Sequence, residues 1–269
     1  MKKLPIGLVI EGNSTSSALL RLSAIGSELG PIKGSGLQVA RRVSNFLKSG
    51  YGVASYKELA SARTILIRVP DASVDRVVSE ISQSNLVWAE HGFVLCETWL
   101  PTDKLEPLKK LGSNVASLVA LPTGLEKTFA IEGDVSIVRQ VRRIIERANV
   151  RSVELRPGSK HLLFAATALC SAIPVPVLLM AQQLLRDSGL SGNQLSTVIE
   201  HMSTEMLSGF LKGARMTWGG ALAENLKSAK GDYWDELDAT HPELANTLRE
   251  LIELTREHVT PKLSRVHGA

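Results

Sequence analysis

The residues Ile6–Ile10 (I-G-L-V-I) are apolar or small at every position, and they run into a turn of small polar residues, E-G-N-S-T-S-S. The run does not alternate. A strand that is apolar throughout is covered on both faces, as in a parallel sheet packed between helices. A parallel neighbour demands a crossover connection, so this opening constrains the chain to strand–helix–strand units. Leu4–Ile10 is read as the first strand and Ser14–Leu29 as a helix capped by Asn13 or Ser14. Its apolar Ala18, Leu19, Leu22 and Ile25 recur at helical spacing.

The alternation continues. Gly30–Gly34, Gly50–Val53, Thr64–Val69, Phe93–Leu95 and Val115–Leu118 read as strands, with helices over Leu37–Lys48, Val74–Ser82 and Asp103–Lys110. A further strand (T-F-A-I-E, 128–132), a helix over Asp134–Ala148 and a strand (S-V-E-L, 152–155) follow. Strands and helices in this order predict a doubly wound parallel sheet. After R-P-G-S (156–159) only helical patterns remain: Lys160–Asp187, kinked at Pro174–Pro176, then Asn193–Lys212, Ala221–Lys227, Tyr233–Asp238 and Pro242–His258. The expected organisation is an α/β domain over 1–157 and an all-α domain over 158–269.

Composition narrows the function. A net charge of +4 and an aromatic content of 4%, with no basic stretch interleaved with aromatics, do not describe a nucleic-acid binder. Cys96 and Cys170 have neither metal-ligand spacing nor a CxxC motif, and fit a reduced, cytoplasmic protein. The start M-K-K-L-P-I-G is broken by Pro5 and Gly7 and stopped by Glu11, so it reads as a strand and not as a signal peptide. Leu162–Ala181 carries no charge and has the length of a membrane span. Its Pro174, Pro176, Thr167, Ser171 and many alanines suit a buried helix instead, and no membrane partner is expected.

Where a dinucleotide-binding turn carries G-x-G-x-x-G, this chain has Ile10, Gly12 and Thr15, so only the middle glycine is in place. The order of elements and several strings nonetheless resemble the bacterial Rossmann-like proteins with a helical C-terminal domain, usually regarded as predicted NADP oxidoreductases. Their architecture is related to that of 6-phosphogluconate dehydrogenase and ketopantoate reductase. The resemblance covers nearly the whole chain. It rests on Ile6–Leu19, R-V-P-D (68–71), F-A-I-E-G-D (129–134) and L-R-D-S-G-L (185–190). It implies a Rossmann-type sheet followed by a helical dimerisation and substrate domain, with NADP as cofactor. The departures are equally specific. The chain shows C-E-T-W-L (96–100), V-A-L (119–121), Phe164 and Ala172 where such proteins carry histidine-bearing strings, His-Pro-Leu, a histidine and an asparagine.

The candidate site follows from these strings. Backbone N–H groups of Gly12, Asn13, Ser14 and Thr15 at a helix N-terminus suit a phosphate, although Glu11 brings a negative charge beside them. About twenty residues on, an NAD site carries a carboxylate. Here Lys33 and Ser35, with Arg41 nearby, offer a site for a 2′-phosphate and favour NADP. Pro70 and Asp71 follow the fourth strand, where ligands bind in open α/β sheets; Asp71 has a second reading as a helix cap. Lys160 starts the interdomain helix, on which hydroxyacid-dehydrogenase relatives carry a lysine that protonates the substrate oxygen; the resemblance implies that role for Lys160, with a surface role as the alternative. Cys96 beside Glu97 reads as a thiol site or a buried structural cysteine. Arg139, Arg142, Arg143 and Arg147 share a helix face, either solvated or an anion contact. His91, His201 and His241 stand isolated, and no metal site is expected.

Two functions stand side by side. One is an NADP-dependent oxidoreductase that transfers a hydride to or from a small carbonyl or imine substrate between the domains. The other is a non-catalytic nucleotide-, anion- or partner-binding protein on the same scaffold. On either, a homodimer through the helical domain is expected, from the apolar long helix and the Trp218-Gly-Gly and Tyr233-Trp234 stretches.

Overall fold

The structure, a computed structural model, describes residues 6–12, 17–84, 86–121, 128–213 and 232–259. It comprises two compact units, Met1–Val175 and Pro176–Ala269. The first is built on one sheet whose strands are β1 (Ile6–Ile10), β2 (Leu29–Gly34), β3 (Tyr51–Val53), β4 (Thr64–Arg68), β5 (Gly92–Cys96), β6 (Asn114–Leu121), β7 (Thr128–Gly133) and β8 (Arg151–Glu154). Their spatial order is 3-2-1-4-5-6-7-8. The first six are parallel, and the order reverses between β1 and β4, as in a Rossmann fold. β7 runs antiparallel to β6, which corrects the expectation of an all-parallel sheet. Only residues 122–127 link the two strands, too few for the crossover that a parallel pair requires.

Residue parity sorts the core into two layers, because successive side chains of a strand face opposite sides. Ile6, Leu8, Ile10, Leu66, Val94 and Leu118 pack with α1 (Ser23–Gly26), α2 (Leu37–Leu47) and α5 (Val135–Glu146). Val9, Ile65, Ile67, Phe93 and Leu95 pack on the other face with α3 (Val74–Ser82), α4 (Glu106–Lys110) and Trp88. The fold class is the one read from the sequence: a Rossmann-type sheet followed, among the described residues, by helices alone.

One element differs in kind. Of the helix expected over Ser14–Leu29, the described residues contain only the four of α1, preceded by a turn at 18–21. Two N–H groups needed for the longer helix are engaged elsewhere. The Leu19 N–H donates to Glu97 Oε1 at 3.0 Å, and the Leu20 N–H to Ser17 Oγ at 3.1 Å. Short polar side chains compete with helical hydrogen bonds in this way, and here a distant carboxylate joins them. Leu19, Leu22 and Ile25 still reach the core.

The helical segment begins with α6 (Lys160–Thr167), passes through one π turn at Ala168–Ala172, and continues as α7 (Pro174–Asp187), α8 (Gly192–Gly213), α9 (Asp232–Thr240) and α10 (Pro242–Val259). The irregularity precedes the prolines instead of coinciding with them. Pro174 lacks an N–H and its ring crowds the carbonyl four residues back, so the last regular bond before it is the π-type Ile173 N–H to Ala168 O, at 2.9 Å. The long helix is not buried in the single chain, contrary to expectation. Leu169, Ile173 and Leu179 are more than half exposed, as are Met206, Phe210 and Leu211 of α8. Within the second unit Trp234 is buried beneath the Arg249 guanidinium, 5.0 Å from its ring, so it offers no free apolar surface. Residues 218–220 and the helix expected over Ala221–Lys227 lie outside the described residues.

Candidate functional site

The C-terminal ends of β1, β2, β4 and β5 gather the polar groups of the first unit at the point where strand order reverses. Gly12 follows β1 with φ +74°, a conformation open to glycine and strained for other residues. A Cβ placed on it would sit 3.2 Å from the Pro70 ring, so the turns after β1 and β4 are in contact here. Asn13, Ser14 and Thr15 lie outside the described residues. Among the described residues the first helix after Gly12 is α1, beginning at Ser23.

Charge at this edge is paired. Arg76 of α3 binds the Glu11 carboxylate at 2.6 Å and Glu80 at 2.9 Å. The Tyr56 hydroxyl donates to Glu80 at 2.9 Å, and its own proton is held more tightly than usual, by burial first and by this carboxylate second. Lys33 Nζ lies 5.1 Å from the centre of the Tyr56 ring and donates to the Gly34 carbonyl at 2.5 Å. Ser35 and Arg41 are exposed beside it. The end of β2 thus presents a cation, a hydroxyl and an aromatic face with no carboxylate on the strand itself. That chemistry suits a phosphate on the ribose of a nucleotide.

Glu97, just beyond β5, adopts φ +56°. Its carboxylate accepts the Leu19 N–H and binds Arg68 Nε at 2.6 Å, which ties the ends of β4 and β5 to the turn at 18–21. Next to it, the Thr98 hydroxyl donates to Asp71 Oδ1 at 2.6 Å and accepts the Leu100 N–H at 3.0 Å. Asp71 is therefore not a helix cap: it makes no capping bond, and its carboxylate is turned toward β5.

Lys160 opens α6 and is 1% exposed, which excludes the surface reading. Its Nζ donates to the Leu100 carbonyl at 3.0 Å. Burial lowers its pKa to about 8, against the opposing pull of Glu132, Cys96 and Asp71. Phe164, one turn along, meets Trp99 edge-on at 5.3 Å, so α6 is anchored to the 97–100 loop by an amine and a ring. Lys160, Asp71 and Cys96 are brought together; Lys33 and Ser35 stand apart at the β2 end.

Cys96 is buried, and burial, then Glu97, raises its thiol far above the ordinary range. It is the structural cysteine of the two readings. The arginine face carries ion pairs, Arg142 with Glu154 at 2.6 Å and Arg147 with Glu28, and so is a solvated face. His241 is not isolated: its Nε2 lies 3.4 Å from Asp187 Oδ2. Among the described residues no group of three or more His, Cys, Asp or Glu side chains is placed to hold a metal.

Sequence reasoning missed Tyr56, Arg76, Glu97, Thr98 and Glu132. The one available signal was a carboxylate inside an apolar strand, the glutamate of F-A-I-E-G-D, since a polar group in a buried run is the informative exception.

No protein-family model matches the chain, and no curated protein sequence does. Solved structures match over nearly its whole length. A Bacteroides fragilis protein described as a candidate NADP oxidoreductase has a TM-score of 0.70 at 14% identity, covering 94% of this chain and 98% of that one. An imine reductase variant from Myxococcus stipitatus in complex with NAD+ scores 0.69 at 11% identity, over 95% and 94%. A reductive aminase from Aspergillus terreus in complex with NADPH and ethyl-5-oxohexanoate scores 0.58 at 12%, over 96% and 95%. The resemblance read from the sequence is thereby borne out at the level of fold.

Proposed function

We propose that the chain is an NADP-dependent oxidoreductase acting on a small carbonyl or imine substrate. The observation that carries this reading is the Lys160 amine, buried at the strand ends beside Asp71 and Thr98 with its pKa brought down to about 8. An amine in that range yields a proton near neutral pH far more readily than a surface lysine. NADP, when bound, supplies or takes up the hydride. Lys33 and Ser35 would hold its 2′-phosphate, Gly12 and the turn after it the pyrophosphate, and Pro70 and Asp71 the far wall. Lys160 would give its proton to the substrate oxygen or nitrogen as the hydride reaches carbon, and take it back in the reverse direction.

The expected outcome is NADPH oxidation with at least one member of a panel of cyclic imines, ketones and keto acids. Lys160→Met should lower kcat by about 100-fold or more while NADPH binding persists, in line with the contribution of a general acid. No turnover on any member, with intact NADPH binding, contradicts this reading. It would favour the second one, a nucleotide-binding protein without chemistry. The Glu11 carboxylate beside Gly12 and the Glu97 carboxylate at Leu19 disfavour a phosphate there and support the partner-binding form of that alternative.

The exposed apolar residues of α6, α7 and α8 support a homodimer as the assembly, with these side chains covered by a second copy. A reducing cytoplasm suits the two unpaired thiols, Cys96 and Cys170.

A further inference from the structure

Among the described residues the buried charged side chains are two, Glu132 and Lys160, each 1% exposed and of opposite sign. Glu132 belongs to F-A-I-E-G-D, a string with no part so far in the proposed chemistry. It stands opposite Ser117 of β6. Its Oε1 accepts the Thr102 N–H at 3.1 Å, the Thr102 hydroxyl at 2.9 Å and the Ser117 hydroxyl at 3.4 Å. Its Oε2 is buried with no hydrogen-bond partner. The rest of the motif keeps the side chain inside. Gly133, at φ +143°, lies where a Cβ would be 2.3 Å from the Val115 carbonyl oxygen, and Asp134 Oδ2 accepts the Val115 N–H at 2.8 Å.

A buried carboxylate with one bare oxygen is costly unless a cation compensates it, and a buried ammonium with a single acceptor has the same need. Lys160 Nζ and Glu132 Oε1 hold the same short loop, at Leu100 O and at the Thr102 N–H two residues on, and the other groups acting on the Lys160 charge are Cys96 at the end of β5 and Asp71 after β4. The Cys96 thiol stays protonated, and Asp71 is exposed with one oxygen taken by Thr98. Glu132 is thus the one fully buried countercharge. Lys160 Nζ bonds to Leu100 O and not to Glu132, so the coupling acts through low-dielectric space, where it is stronger than at a surface.

We infer that Glu132 is a positioning residue for Lys160: its buried carboxylate keeps the amine protonated and sets the pH range in which that proton is available. When Lys160 hands its proton to a substrate atom, the pair is left with one net negative charge, which draws a proton back from solvent. The inference rests on the role proposed for Lys160, but its test needs neither cofactor nor substrate.

In the full-length protein labelled with 13Cε-lysine, the Lys160 resonance is the one missing from Lys160→Met, and its pH titration gives the midpoint directly. Glu132→Gln keeps an acceptor for Thr102 and Ser117. It should move the midpoint down by about one pH unit or more, a tenfold or greater loss of proton affinity. An unchanged midpoint overturns the inference. So does a Glu132 carboxyl that is protonated at neutral pH, read from its 13Cδ shift in the wild-type protein, a measurement independent of how the variant folds. Neither result depends on whether NADPH binds.

Discussion

Lys160 carries the main energetic asymmetry at the residue scale. Its folded pKa, about 8, lies below the ordinary 10.5. Below about pH 8 the amine is protonated in both the folded and unfolded chain, and the cost of burying it is fully present. Between about 8 and 10.5 the unfolded chain binds the extra proton, so stability rises with pH and then levels off. At about 1.4 kcal/mol per pH unit the rise amounts to about 3 kcal/mol. The raised Cys96 and Tyr56 pKa values oppose this rise above about pH 9 in both proteins, so urea unfolding from pH 7 to 11 should show it as a growing difference between the wild-type protein and Lys160→Met; a difference that does not change with pH contradicts the assignment. The two cysteines give a second check. Cys96 is buried with its thiol pKa raised, and Cys170 is exposed. The Cys96 thiol should therefore react with a maleimide only on unfolding.

Among the elements, the first turn departs most from its sequence pattern. Glu97 anchors the segment before α1 by accepting the Leu19 N–H while bound to Arg68. Glu97→Ala removes both bonds and keeps the left-handed backbone, and should cost about 2 kcal/mol by denaturant unfolding, with faster proteolysis near Leu19. β1, β4, β5 and β6 were legible as short, mostly apolar runs, and periodicity alone placed α2, α3 and α5 within a residue or two. The loss of the first helix was not legible, since its cause is a carboxylate 78 positions away in the chain. The reversal of β7 was legible in principle, from the six residues between Leu121 and Thr128. Of the site, Gly12, Pro70, Asp71 and Lys160 could be named in advance. Their partners Thr98 and Glu132 could not, because the contacts follow from sheet register and from how α6 docks.

Taken whole, the chain leaves apolar side chains of α6 to α8 in contact with water, among them Leu169, Ile173, Met206, Phe210 and Leu211. Apolar side chains exposed in this number mark an interface. Sedimentation should find a dimer, and Phe210→Glu should shift it toward monomer; a wild-type monomer at all concentrations contradicts the proposed assembly. The central claim concerns the other unit, where Lys33, Ser35 and the Tyr56 face stand at the end of β2. Its most direct test is a titration of the purified protein with NADPH and with NADH, followed by nicotinamide fluorescence. The account predicts NADPH binding at least about tenfold tighter than NADH, the value of one charge-assisted phosphate contact, and loss of that preference in Lys33→Ala. Equal binding of the two, or no binding of either, would contradict it.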